Sequence, residues 1–486
     1  MKIISKFLIV VSIAHFSVAD WAADFFSRSS CEYDGNGTAY SCAAGPGQAG
    51  AWNDLKQNAG RSIVAGDTWY ICGTFGPEHA RLSAPAGQMI VIFDSGDDGN
   101  PITIDGNCST FGGMNTAILD GQGDYPDDGG IRHGVNIEDS SNVTVQNLDI
   151  RNMFGDRQNG NGISSRWSSN ARNLIIRNNR VSNVRTQCID IGGENYLLDG
   201  NYLELCGNDG IYISNGTSGG TPMAAEGTAY GTVSNNTLDR VSENGNDSGD
   251  GIKIQSCTNE IGTQYCSVRI TGNTVYKTGT NKGAINVFGA GNGAIIIGNN
   301  VYGHEKDGND VVEASDTGIG LDGCGFGATC YITGNYVEGF NSDGIVISGV
   351  LVDTADGDVF VTSNIIENLE GASVCGIDIQ VNVTAGLHIL NNKIGRGGDV
   401  ACGVGSNDRG KGNPIIIRNN RISAWNTNFY VTDNTLPSWN SDYNVFDGNT
   451  TWNFTQSKNI YYLEEWMNTF NLDNKSKESA FCLWCN

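Results

Sequence analysis

The chain has 486 residues and a formal net charge of -24, with Asp and Glu outnumbering Lys and Arg 53 to 29. That balance excludes nucleic acid and anionic membrane as partners, since both are bound through a cationic excess. Membrane insertion is excluded as well, because no segment carries the roughly 18 uncharged apolar residues that a spanning helix needs.

Taken from its start, the chain places Lys2 and Lys6 before an apolar run from Phe7 to Ala14 and the small-residue pattern Ser17-Val18-Ala19. Residues 1–19 read as a secretory signal peptide, so a secreted or periplasmic location is expected. The 14 cysteines all lie beyond it, and an even count at close spacings suits disulfides in an oxidising compartment. The local couples are Cys31 with Cys42, Cys188 with Cys206, Cys257 with Cys266, Cys324 with Cys330 and Cys375 with Cys402. Cys72 with Cys108 forms a further couple, and Cys482 with Cys485 reads as a terminal staple.

Residues 20–62 make an N-terminal segment and cap, in which Trp52 to Gln57 has the pattern of a short amphipathic helix. Strand-like runs follow at residues 63–71, 89–93 and 100–106, and regular coils begin near Val135. From there one phrase recurs, clearest as Ile-Ile-Arg-Asn-Asn-Arg-Val at 175–181 and Ile-Ile-Arg-Asn-Asn-Arg-Ile at 416–422. Its asparagines are read as Asn179, Asn201, Asn236, Asn273, Asn300, Asn335, Asn364, Asn392 and Asn420, spaced 22 to 37 residues apart. A period of that size marks one supersecondary unit per copy, stacked into a solenoid. Upstream of each Asn a second element recurs, as in Gly210-Ile-Tyr-Ile213, Gly251-Ile-Lys-Ile254 and Gly376-Ile-Asp-Ile379. Its period of two buries the flanking Ile and turns the middle residue out.

These elements predict an all-β chain: a single-stranded right-handed parallel β-helix over residues 63–450, disulfide-stapled, with the N-terminal capping helix and a tail at 451–486. The Asn row is expected to be structural, its stacked amides bonding one another along the solenoid axis. The repeats, the phrases Ala65-Gly-Asp-Thr68 and Asn100-Pro-Ile-Thr103, and the tail segments from Tyr461 to Trp466 and Leu472 to Ser476 resemble the right-handed parallel β-helix (pectin-lyase-like) superfamily of secreted polysaccharide-active proteins. The resemblance covers residues of about 50 to 476 and implies a polysaccharide partner. It leaves the reaction open, since lyases, polygalacturonase-like hydrolases, mannuronan epimerases and tailspikes share this architecture.

Aligning the Gly-Ile-x-Ile strands in register gives an outward column: Ser164, Asp190, Tyr212, Lys253, Asn286, Gly320, Val346 and Asp378. Successive coils lie about 4.8 Å apart, so Asp190, Tyr212 and Lys253 are expected on adjacent rungs, flanked by Arg166, Asp209 and Asp250. A lyase acting on uronate must neutralise the carboxylate, remove the C5 proton and protonate the leaving oxygen. Lys253 suits the base, Tyr212 the proton donor and Arg166 the neutralising cation, with Asp190 beside them. Trp167, Asn286 and Ser164 suit substrate binding, and Tyr196, Tyr212 and Phe288 are further aromatics for sugar rings. Asp209 and Asp250 offer oxygen ligands for Ca²⁺, the one cofactor expected; no organic cofactor is implied, and the chain is expected to be monomeric. The insertion from Gly216 to Gly231 is expected to wall one side of the groove.

The reaction read from these residues is β-elimination on an alginate- or pectate-like glycan. An inverting hydrolase pairing Asp190 with Asp209 or Asp250 is the alternative, although the Gly-His-Gly of polygalacturonases is absent. An epimerase lacks its expected Asp-Pro-His, and a non-catalytic glycan-binding or adhesive surface stands outside the enzyme class altogether.

Overall fold

The computed structural model describes residues 22–479 apart from 56–61, 81–86, 124–130, 156–159, 166–170, 215–228, 242–248, 256–265, 277–282, 291–292, 305–316, 325–328, 349–357, 370–373, 381–385, 396–401, 407–414, 424–426, 432–438, 448–450, 455–457 and 461–476. The described strands form three 14-stranded sheets, and neighbours in each sheet come from successive coils. A typical coil runs Arg172–Arg177 in one sheet, Arg180–Val184 in another and Ile189–Gly192 in the third. Pairing is parallel from coil to coil, so the chain is a parallel β-helix. An antiparallel pairing of Thr451–Phe454 with Lys458–Ile460 stands at the far end.

Alternation builds the interior. In Ile189–Gly192 and Ile211–Ser214 the Ile side chains at both flanking positions are 0–1% exposed, and one apolar cluster runs along the stack from Trp52 to Phe446. At the corner between the first two strands of each coil from Arg172–Arg177 onward, an asparagine turns inward. Asn179 Nδ2 donates to the Val145 carbonyl (3.0 Å) and to Asn201 Oδ1 (3.1 Å), which also accepts the Asn179 backbone N–H. The same three bonds recur upward through Asn236, Asn273, Asn299, Asn335, Asn364 and Asn392 to Asn420 and Asn444.

The ladder member is thus Asn299 and not Asn300, which is exposed at the start of the strand Asn300–Tyr302. The reason lies one residue upstream. Each ladder Asn follows a residue in the left-handed region, Asn178 (φ 54°) before Asn179 and Gly298 (φ 65°) before Asn299. In the doublet Asn299-Asn300 the left-handed turn is supplied by Gly298, so the first Asn takes the inward position.

The expected helix at Trp52–Gln57 does not form over its described part, Trp52 to Leu55. Trp52 bridges Ser27, and its N–H and carbonyl bond the Phe26 carbonyl (2.8 Å) and the Arg28 N–H (2.7 Å). With those groups committed to Asp24–Arg28, no helical turn can use them. The indole packs on Phe25 and Trp69 at 5.4 and 5.8 Å. Asp24–Arg28 itself pairs in register with Thr68–Cys72 and opens the stack. Among the described residues there is no α-helix, and none long and apolar enough to cross a membrane.

Five disulfides join the couples read from spacing: Cys31–Cys42, Cys72–Cys108, Cys188–Cys206, Cys324–Cys330 and Cys375–Cys402. Cys257, Cys482 and Cys485 lie outside the described residues.

The ladder yields a contrast between neighbours. Asn299→Ala strands the Asn273 N–H groups and the Ile270 carbonyl in the interior and should destabilise the protein by about 3 kcal/mol. Asn300→Ala should change stability by less than about 0.5 kcal/mol. Urea denaturation of both variants checks the pair, and equal losses would contradict the placement of the ladder at Asn299.

Candidate functional site

The third sheet, from Gln88–Ile92 onward, carries the predicted column. Strand register stacks Asn136, Ser164, Asp190, Tyr212, Lys253, Asn286, Gly320, Val346, Asp378 and Gly405. Asp190, Tyr212 and Lys253 therefore occupy three successive rungs. Apart from Ser164 and Gly405, which are followed by Ser165 and Ser406, each column residue lies between two buried aliphatic ones on its strand, which is why it faces away from the interior.

The side chains on this face are mostly enclosed. Ser164, Asp190, Asp209 and Asp250 are 0–1% exposed and Tyr212 is 7% exposed, whereas the Lys253 side chain keeps 19%. Lys253 Nζ lies 3.5 Å from Asp250 Oδ2 and 5.6 Å from the centre of the Tyr212 ring. The Tyr212 hydroxyl donates to Gln255 Oε1 at 2.6 Å. Across the described strands of this sheet from Gln88–Ile92 to Thr427–Val431, Lys253 is the only Lys or Arg. Among the described strands of that face it is thus the one fixed cation.

A second row runs three residues before the column: His133, Asn161, Gln187, Asp209, Asp250, Asp343 and Cys375. A residue of this row reaches the column residue of the following coil. Asn161 Nδ2 donates to Asp190 Oδ2 at 3.0 Å, and Asn286 Nδ2 donates to Asp250 Oδ1. Thr186 in turn donates to Asn161 Oδ1. The polar floor is held by amide-to-carboxylate contacts that run diagonally between coils.

His133, Asn161, Gln255 and the Asp343–Asp378 diagonal were not reached from sequence. A signal for the first existed, since Gly134-Val-Asn-Ile137 is a copy of the Gly-Ile-x-Ile phrase with Val substituted. The diagonal itself has no sequence signature, because its partners sit 29 to 36 residues apart and belong to different phrases.

Arg166 and Trp167 lie outside the described residues, as does most of the 216–231 insertion. Tyr196 is not a surface aromatic: it is 6% exposed within the apolar interior, where Gly231 leaves the space its ring fills, and burial pushes its phenol above the usual range. Phe288 stays half-buried on the platform. As Ca²⁺ ligands, Asp209 and Asp250 fit poorly. Asp209 Oδ1 already accepts the Asp250 N–H at 2.8 Å, and both Asp250 oxygens face protein donors. No three His, Cys, Asp or Glu side chains converge among the described residues as a metal cage would require.

Farther along the same face, Asp343 and Asp378 stand on the diagonal occupied elsewhere by an amide and a carboxylate. Burial, reinforced by the Asp378 charge, pushes the Asp343 carboxyl up to about 7. Burial raises Asp378 as well.

No family model and no curated protein sequence matches the chain. Among solved structures it is similar to a rhamnogalacturonan lyase, with 14% identity and a TM-score of 0.41 over 76% of this chain and 82% of that one. It is also similar to the A-module of a mannuronan C-5 epimerase from Azotobacter vinelandii (14% identity, TM-score 0.38, 85% and 91% covered). A lacto-N-biosidase from Eubacterium ramulus gives 14% identity and a TM-score of 0.42 over 94% and 67%. At this level of overlap the chemistry has to be read from the residues.

The raised Asp343 carboxyl sets a stability signature. The unfolded chain releases this proton near the ordinary value of about 3.9, whereas the fold retains it to about 7. Between those values the native state binds more protons, so stability falls as pH rises, by at most about 4 kcal/mol, and levels off above pH 7. Denaturation midpoints between pH 4 and 8 should show that decline in the wild type minus Asp343→Asn difference curve. A flat difference curve would refute the assignment.

Proposed function

We propose that the chain is a polysaccharide lyase that cleaves a uronate-containing glycan by β-elimination at the Asp190, Tyr212 and Lys253 rungs. The observation that carries this reading is the placement of Lys253, the single cation of the described platform strands, between the Asp250 carboxylate and the Tyr212 ring. A uronate sugar laid along the column brings its C5 proton to Lys253, which enters the reaction as the neutral amine, and leaves its carboxylate to Arg166.

In the proposed reaction Lys253 Nζ takes the C5 proton. The C4–O4 bond breaks as the C4–C5 double bond forms, and the leaving O4 takes the Tyr212 hydroxyl proton. The phenolate is then reprotonated at the expense of the Lys253 ammonium, which restores both groups. Gln255 fixes the Tyr212 hydroxyl by accepting its hydrogen bond in the free protein, and glycan O4 replaces Gln255 as the acceptor when bound. Asp250 steers Lys253 over the ring, and Asn161 holds the Asp190 carboxylate at its rung. Arg166 is assigned to the uronate carboxylate as a second cation, and Trp167 and Asn286 to sugar contacts, whereas Ser164, at 0% exposure, lines the enclosed floor beneath them. No step is routed through Ca²⁺.

Incubation with alginate, pectate and glucuronan should yield a product with the ultraviolet absorbance of a conjugated uronate. Lys253→Ala and Tyr212→Phe should each lower kcat/KM by about 10²- to 10⁴-fold, the usual contribution of a positioned acid or base, with the β-sheet circular dichroism spectrum retained. New reducing ends without that absorbance would establish the hydrolase instead. Glycan binding without any product, undiminished in Lys253→Ala, would establish a binding surface.

A further inference from the structure

One acidic side chain of the platform has no answering group. The described strands of this sheet carry the acidic residues Asp190, Asp322, Asp343 and Asp378. Three of them accept a hydrogen bond: Asp190 from Asn161, Asp343 from the Cys375 N–H and Asp378 from Gln380. Among the described residues Asp322 accepts none, and burial alone raises its carboxyl, with no donor or cation to draw it back. A half-buried carboxyl left in this state costs free energy that a ligand hydroxyl would recover.

Asp322 lies two residues beyond the main column, in a second outward column. That column runs through Gly192, Ser214 and Gln255. One residue past the Ile254–Val287 pair it continues through Phe288, Asp322 and Ser348 on successive rungs. Unlike the buried Asp343 and Asp378, these three side chains are half-buried, so each keeps part of its surface in solvent. Phe288 brings carbon surface to one side of the carboxyl and Ser348 brings a hydroxyl to the other. On the main column beside them stand Gly320 and Val346, neither of which is charged. The Asn286 amide lies over Gly320, where any side chain would collide with it, and closes the floor there. The described platform strands from Ile285–Ala290 to Cys402–Ser406 contain no Lys, Arg or His.

From this arrangement we infer that Asp322 is a specificity-determining residue, which together with Phe288 and Ser348 takes an uncharged sugar and turns uronate away. The inference rests on the lyase reading for what occupies Lys253. It adds that the glycan is a mixed polymer, with uronate at the Lys253 rung and a neutral sugar two rungs on. A carboxylate only accepts, which matches sugar hydroxyls that donate, and the Ser348 hydroxyl can do either. The C–H face of the same sugar covers Phe288. A uronate carboxylate in that place meets a like charge with no cation beside it. Two rungs and two residues along the strand put Asp322 roughly 12 Å from Lys253. Exposed charges act over about 8 to 10 Å at physiological salt, so Asp322 governs the sugar at its own rung and leaves the uronate at Lys253 undisturbed.

The test reads binding apart from turnover, in the Tyr212→Phe background of the full chain, by calorimetric titration at pH 8. The probes are an oligogalacturonate and a rhamnogalacturonan oligosaccharide of equal length, the second alternating uronate with a neutral sugar. Asp322→Asn keeps the shape of the side chain and removes its charge. It should tighten oligogalacturonate binding about tenfold and weaken rhamnogalacturonan binding about threefold, since the amide oxygen no longer repels a carboxylate and accepts hydroxyls less strongly. In 1 M salt, where the screening length is about 3 Å, the oligogalacturonate gain should shrink below about twofold. Phe288→Ala should weaken rhamnogalacturonan binding about fivefold through lost apolar contact. Shifts in the same direction for both probes, no shift for either, a gain that persists in 1 M salt, an unchanged rhamnogalacturonan affinity in Phe288→Ala, or binding of neither probe overturns the inference. Absence of unsaturated product from the wild-type protein overturns the lyase reading instead, and opposite shifts would still assign the neutral sugar to Asp322.

Discussion

The corner amide is the interaction on which everything else depends. A strand turning inward toward a dry interior would leave backbone N–H and C=O groups without water, each worth a few kcal/mol unmade. One asparagine per coil satisfies them by bonding a strand carbonyl of the coil behind and the next asparagine ahead. Because both bonds have to form at once, successive coils are locked at a single rise and phase. That lock makes the outer face of the platform a lattice, in which a residue's neighbours are set by its place in the coil and not by its distance along the chain.

On that lattice two positions per coil do the polar work, and the diagonal between them explains how so many charged groups tolerate burial. A carboxylate at 0–1% exposure is expensive alone, and Asp190 and Asp250 are each met by an amide from the adjoining coil. Lys253 then stands against Asp250 and Tyr212 with part of its side chain still open. Asp343 and Asp378 depart from the pattern by placing like groups on the diagonal, where burial raises both and the Asp378 charge adds to it at Asp343.

Much of this was legible in the residues. Aliphatic alternation around Asp190, Tyr212 and Lys253 determined which side chain faces out, and the register follows from the repeat spacing; both need only local periodicity. The ladder was legible to within one residue. At Asn299-Asn300 spacing alone admits either member, and the left-handed Gly298 decides between them. The Trp52 segment misled because an amphipathic pattern is equally served by an aromatic plug whose backbone pairs with Asp24–Arg28. The diagonal contacts were not legible at all, since they join the end of one phrase to the middle of the next through three dimensions.

The acidity of the chain opposes an anionic glycan at long range, and where the charges sit decides what acts at short range. On the sheet that carries Arg180–Val184, the ion pairs Arg151–Asp120, Arg180–Glu204, Lys393–Glu367 and Arg421–Asp447 line the outer face. Those carboxylates are locally compensated, and a field from exposed charges fades over about 8 to 10 Å at physiological salt. In the proposed lyase, what an approaching uronate meets on the platform is set by the nearest groups instead. Near Lys253 that is a cation flanked by a phenol, and two rungs on it is the Asp322 carboxyl. Net charge therefore bears on encounter, while in the proposed lyase the order of side chains along one column sets which sugar lies where.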